Sequence, residues 1–187
     1  MSSGLLADRR KALEESFFSK REAKLREQLQ EERKREEGLE ALAGECGVQD
    51  EKVLAALLHA GIEPETLAAL TMIPLVAVAW ANGNIEPAEC DAVLEAADRC
   101  GVRKGEPPFE LLEAWLAFRP PDTLLESWVG YANELRTILD EEELKALRDD
   151  LVSRALKIAE AAGGIMGLGS RVSRAEKAVL GQIEDAI

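Results

Sequence analysis

The chain has 187 residues, 47% of them hydrophobic, and a formal charge of −13, so it can bury a sizeable core and is not disordered throughout. Neutralising phosphates takes Lys and Arg in excess on some surface, and the acidic balance therefore speaks against nucleic acid and anionic membrane as partners. Three cysteines without C-x-x-C spacing, Cys46, Cys90 and Cys100, and one histidine, His59, speak against a zinc site or a disulfide framework and make a reducing cytoplasm the expected location.

Residues 6–37 read as one long helix with apolar positions Leu6, Leu13, Phe17, Phe18, Leu25 and Leu29. No apolar residue follows between Gln30 and Glu37. The pairs Glu22/Arg26 and Glu31/Arg35 add a few tenths of a kcal/mol each on an exposed helix, and packing through the Phe17-Phe18 half is expected to supply the rest. From Asp8 to Glu40 there are ten acids and ten bases, whereas residues 41–187 hold 26 acids against 13 bases. A charge-mixed arm, residues 1–37, is thus distinguished from an acidic body, residues 38–187, with Gly38 separating the arm from a short helix over Leu39 to about Gly44.

Along the body, i, i+3, i+4 apolar spacing recurs and no segment alternates with a period of two, which predicts an all-α fold. Asp50 caps a helix over 51–59, and Gly61 is its expected stop. Pro64 opens a helix through Leu70, and Pro74 forces a kink or a break before an apolar helix ending near Ala81. That apolar run, Leu67 to Ala81, covers 15 residues, short of the roughly 20 that cross a bilayer, so a buried core helix and no membrane insertion are expected. Further helices are expected over Pro87–Cys100, Pro108–Phe118, Asp122 to about Leu139, Asp140 to about Ala162, and from Ser173 onward. The N-terminus has no long apolar core of the secretory kind.

Ser173-Arg174-Ala175-Glu176 reads as a capping box, and Glu89 holds the same place behind Glu86-Pro87. The stretch A-V-A-W-A-N-G-N-I-E-P-A-E-C-D-A-V-L, Ala77 to Leu94, aligns with A-E-A-A-G-G, six inserted residues, then R-V-S-R-A-E-K-A-V-L, ending at Leu180. Gly83 falls on Gly164, Ile85 on Val172, and Glu89 on Glu176. A match at a fixed interval is the trace of duplication, and it divides the body into pseudo-repeats at about 62–101 and 140–187.

Two helix-loop-helix units of this form, about eighty residues apart, resemble the TerB-like domain of tellurite-resistance and related bacterial proteins, over roughly residues 62–187. The resemblance implies a compact multi-helix domain with two pseudo-repeated helix-loop-helix halves, here preceded by the long charged helix. In some members it also implies divalent-cation binding by clustered acids at the two loops. Where the family carries Asp before the loop glycine, this chain has Asn82 in the first copy and Gly163 in the second. An Asn carbonyl can ligate a hard cation without the charge that supplies much of the affinity, while Gly163 offers backbone alone. The metal-ligand candidates are therefore Asn82, Glu86 and Glu89, with Asp91 a further donor near loop one and Glu176, Ser170 and Ser173 left at loop two; the ion would be Ca2+ or Mg2+, weakly held. The competing reading is purely structural: Ala81-Asn82-Gly83 ends one helix and Glu89 caps the next.

Other features have bland readings as well. The glycine-rich stretch Gly163 to Ser170 follows a helix and lacks a Gly-Lys-Ser/Thr ending, unlike a phosphate loop. Trp80, Trp115 and Trp128 are expected in the core. His59 and the Glu141-Glu142-Glu143 run complement helix dipoles. The cysteines, with no basic partner nearby in sequence, are expected as small buried hydrophobes.

No nucleophile-base pair is visible, and no catalytic residue or cofactor is expected. The function expected is a non-enzymatic cytoplasmic protein-interaction adaptor, with an unknown protein partner or self-association through the N-terminal helix; the alternative is a weak divalent-cation-binding or stress-response protein of the same fold.

Overall fold

The computed structural model describes the backbone of residues 3–162 and 172–187 and the side chains of residues 20–161 and 172–187. Phe17, Phe18 and the glycine-rich stretch 163–171 lie outside the described side chains. Among the described residues the secondary structure is entirely helical, in the order α1 (Ser3–Cys46), α2 (Glu51–His59), a 3₁₀ segment (Pro64–Met72), α3 (Ile73–Ala79), α4 (Pro87–Arg99), α5 (Pro107–Ala117), α6 (Thr123–Ile138), α7 (Glu141–Ala162) and α8 (Arg174–Ala186). The all-α fold follows from the sequence as expected. No single described helix is long and apolar enough to cross a membrane.

The chain divides into two units, Met1–Glu40 and Ala41–Ile187. The first holds α1 as far as Glu40, and the last turn of α1 belongs to the second. From Lys20 to Glu37 every side chain is exposed, including Leu25 at 56% and Leu29 at 53%. Gly38 does not break this helix, contrary to expectation: α1 runs on through Gly38 and Gly44 to Cys46. A helix-interior glycine costs only about 1 kcal/mol relative to alanine, which a long hydrogen-bonded ladder absorbs. The stop comes at Gly47, whose φ of 74° takes the chain into the left-handed region that a side chain disfavours by roughly 1–2 kcal/mol.

The second unit is organised around α3. Six of its seven residues are buried, with Ile73, Leu75, Val76 and Val78 at 0% exposure. A helix apolar all round has to be surrounded, and α3 packs against α4, α6, α7 and α8. Burying each large aliphatic side chain contributes roughly 1.5–3 kcal/mol. The helical type changes next to Pro74, as expected of a break before the apolar helix. The 3₁₀ segment passes directly into α3, and Pro74 sits in the first turn, where its missing N–H has no partner to lose.

Around this centre α5 packs on the 3₁₀ segment, α2 on α6, and α4 on α7. Caps set most boundaries. Asp50 accepts from the N–H groups of Lys52 and Val53 at 2.8 and 3.1 Å. Asp140 accepts from Glu142 and Glu143 at 2.9 Å each, and its own N–H donates to Glu143 Oε2 at 3.0 Å, so the acids opening α7 serve its terminus. Trp115 and Trp128 are buried, at 7% and 5% exposure, and Trp80 is half-buried with its Nε1–H donating to the Trp115 carbonyl at 2.8 Å. The indoles thus serve the core, as expected.

Candidate functional site: a pair of joined corners

α3 ends in a turn in which the Gly83 N–H donates to the Trp80 carbonyl at 2.9 Å. Gly83 has a φ of 87°, and no neighbour would touch a Cβ placed there. Its requirement is therefore conformational and not steric. The chain then extends through Glu86, at φ −86° and ψ 153°, and Pro87 opens α4. Glu89, three residues after the cap, reaches back so that its Oε2 accepts from the Glu86 N–H at 2.7 Å. At the second corner Ser173 caps α8. Its Oγ accepts from the Glu176 N–H at 3.1 Å, and its own N–H donates to Glu176 Oε2 at 2.5 Å. Both back-reaching carboxylates are buried, Glu89 at 1% and Glu176 at 2% exposure.

Asn82 joins the corners. Its Nδ2–H donates to Glu176 Oε1 at 2.9 Å, while its Oδ1 accepts from the Ser173 hydroxyl at 2.8 Å. Each Glu176 oxygen therefore has a donor, and the Asn82 amide is used on both sides. An N–H to a buried carboxylate is a charge-assisted bond, about twice as strong as a neutral one.

Glu89 has no such help. Its Oε1 is buried without a hydrogen-bond partner among the described residues. In the repeat alignment the residue matching Asn82 is Gly163, which lies outside the described residues. Burial raises the pKa of the Glu89 carboxyl above its ordinary value; the Glu86 N–H works against this, and the charges of Glu176 and Glu86 add to it.

Of the metal-ligand candidates, Asn82 is engaged with Glu176 and Ser173, and Glu86 supplies its backbone N–H to Glu89 with the residue otherwise exposed. Glu89 Oε1 is the one buried oxygen here left without a donor among the described residues. Hard cations such as Ca2+ take about 6–8 oxygens. Among the described residues no group of three or more His, Cys, Asp or Glu side chains is arranged to hold a metal ion. What the arrangement does chemically is to let the neutral Asn82 amide and the Ser173 N–H together supply donors to both oxygens of the buried Glu176 carboxylate.

The linkage from Asn82 through Ser173 to Glu176 is absent from a reading of either corner alone, although the repeat alignment had placed both corners in register. Elsewhere, the three cysteines are half-buried and not core residues. Cys100 has a basic partner that is remote in sequence: the Arg154 guanidinium touches its Sγ. Burial nevertheless raises the Cys100 thiol pKa, with Arg154 acting in the opposite direction, so the thiol is protonated at neutral pH and is a poor nucleophile.

No family model, curated protein or solved structure matches the chain.

Proposed function

We propose that the chain is a non-enzymatic, TerB-like helical module of the cytoplasm that acts as a protein-interaction adaptor, with the N-terminal helix carrying the association. The observation behind this reading is the all-round exposure of Lys20 to Glu37, with Leu25 and Leu29 uncovered on one helical face. Most helical stability in proteins comes from packing an apolar face, and this stretch gains nothing of the kind from its own side-chain burial. Removal of residues 1–37 should leave the cooperative melting of the body intact and abolish association in sedimentation. A body that melts without cooperativity after that removal would assign the arm to the core and overturn the reading.

One observation favours a second reading, a cation-responsive corner: Glu89 Oε1 is buried beside the Glu86 and Glu176 charges without a donor among the described residues. A hard ion held by Glu89 with Glu86 and the Asn82 carbonyl would have to displace the Ser173 hydroxyl from Asn82. At 100 times its dissociation constant such an ion stabilises the fold by about 2.7 kcal/mol. Melting that is identical in EDTA and in millimolar Ca2+, Mg2+ or Mn2+ would exclude it.

A further inference from the structure

On the second unit, α3, α6 and α8 enclose a groove of about 700 Å³, within the roughly 300–1,000 Å³ of ligand clefts. Ala77, Trp80, Leu125, Val129 and Val179 form its accessible apolar lining, and the exposed Asp122, Glu126 and Asp185 stand at its edge. Among the described residues lining it, Arg119 is the basic one and is paired with Asp122 at 3.5 Å; the Arg136 guanidinium donates to the Asp185 backbone carbonyl at 3.4 Å, so the acidic excess at this edge is carried by Glu126 and the Asp185 carboxylate. An apolar floor with carboxylates at the rim fits a helix that presents aliphatic side chains flanked by bases.

The chain contains such a segment. Lys20 to Leu29 holds four bases and two acids, the reverse of the balance in the body. Leu25 and Leu29, one helical turn apart, are both more than half exposed and share a face. We propose that this groove receives the Lys20–Leu29 stretch of α1 from a second copy of the chain, so that the protein associates arm into groove. The inference rests on the reading of the arm as the associating element. It is preferred over pairing of two arms because the apolar positions shift from Leu13 and Phe17 to Phe18, Leu25 and Leu29, which gives no continuous heptad seam.

Sedimentation equilibrium of the full chain tests it with exposed charges that do not enter the core. Glu126→Lys with Asp185→Lys reverses the rim, and Lys20→Glu with Lys24→Glu reverses the arm. Each pair alone is expected to weaken dimerisation roughly tenfold or more, and the four substitutions together in one chain restore it. Dimerisation lost on reversing the arm but unchanged on reversing the rim would overturn the groove while leaving the arm as the associating element. A chain monomeric at every concentration would overturn both, as would a dimer indifferent to the arm.

Discussion

Asn82→Asp is expected to destabilise the chain by about 2 kcal/mol at neutral pH in EDTA, more than Asn82→Ala does. Two losses add. The Nδ2–H bond to Glu176 Oε1 at 2.9 Å disappears, and hydrogen bonds to charged groups contribute roughly 1.5–3 kcal/mol. Asn82 itself is exposed, so a new carboxylate there is set against the buried Glu176 with a repulsion that solvent partly screens. Alanine removes the donor without adding the charge, so the difference between the two variants isolates the repulsion. The aspartate variant should also recover part of its stability in millimolar Ca2+, because a cation can take the place of the lost amide N–H. Thermal melting with and without chelator measures both effects; 1 kcal/mol corresponds to roughly 2–4 °C in a domain of 150–250 residues. Equal stability of the aspartate and alanine variants in EDTA would show that Asn82 is not holding a charged Glu176.

Glu89→Gln should act in the opposite direction. The glutamine keeps an oxygen for the Glu86 N–H, which now bonds Glu89 Oε2 at 2.7 Å, and removes a buried charge whose other oxygen has no donor among the described residues. Because the folded pKa is raised, mainly by burial, the folded state keeps this proton at pH values where the unfolded chain has released it. The stability linked to that proton is therefore full below the ordinary carboxylate value and is lost as the pH rises through the elevated folded value. The variant has no such loss. Relative to the unaltered chain it should be more stable by about 1 kcal/mol at pH 8, with the advantage vanishing near pH 4. Urea titrations at the two pH values check this; a variant less stable than the parent by the same amount at both would mean that the Glu89 charge is favourable where it sits.

These two carboxylates show how far local sequence carries. The caps at Asp50, Glu86-Pro87 and Ser173–Glu176 were legible because each is a bond between residues two or three apart, between a side chain and a backbone group whose place the helix start determines. The core position of α3 was legible from an apolar run with no polar face. Gly38 misled because glycine marks a helix end only where the chain turns left-handed, as at Gly47, and composition does not show which glycine does so. The bond between Asn82 and Glu176 spans 94 residues, and that between Arg154 and Cys100 spans 54. No periodicity encodes such pairs; they exist because α3, α4, α7 and α8 converge. The alignment of the two repeats was the one signal that put Asn82 and Ser173 at equivalent corners, and it did not say that the corners meet.

The most direct measurement of the central proposal is sedimentation equilibrium of the full chain beside its Leu25→Glu, Leu29→Glu double variant. Both leucines are exposed on a helix whose neighbouring side chains are exposed too, so the substitutions leave the body's core untouched. The unaltered chain should associate with rising concentration, and the double variant should remain monomeric with the same melting temperature. The same association in both chains would contradict association through the N-terminal helix, and none in either would contradict self-association of the chain.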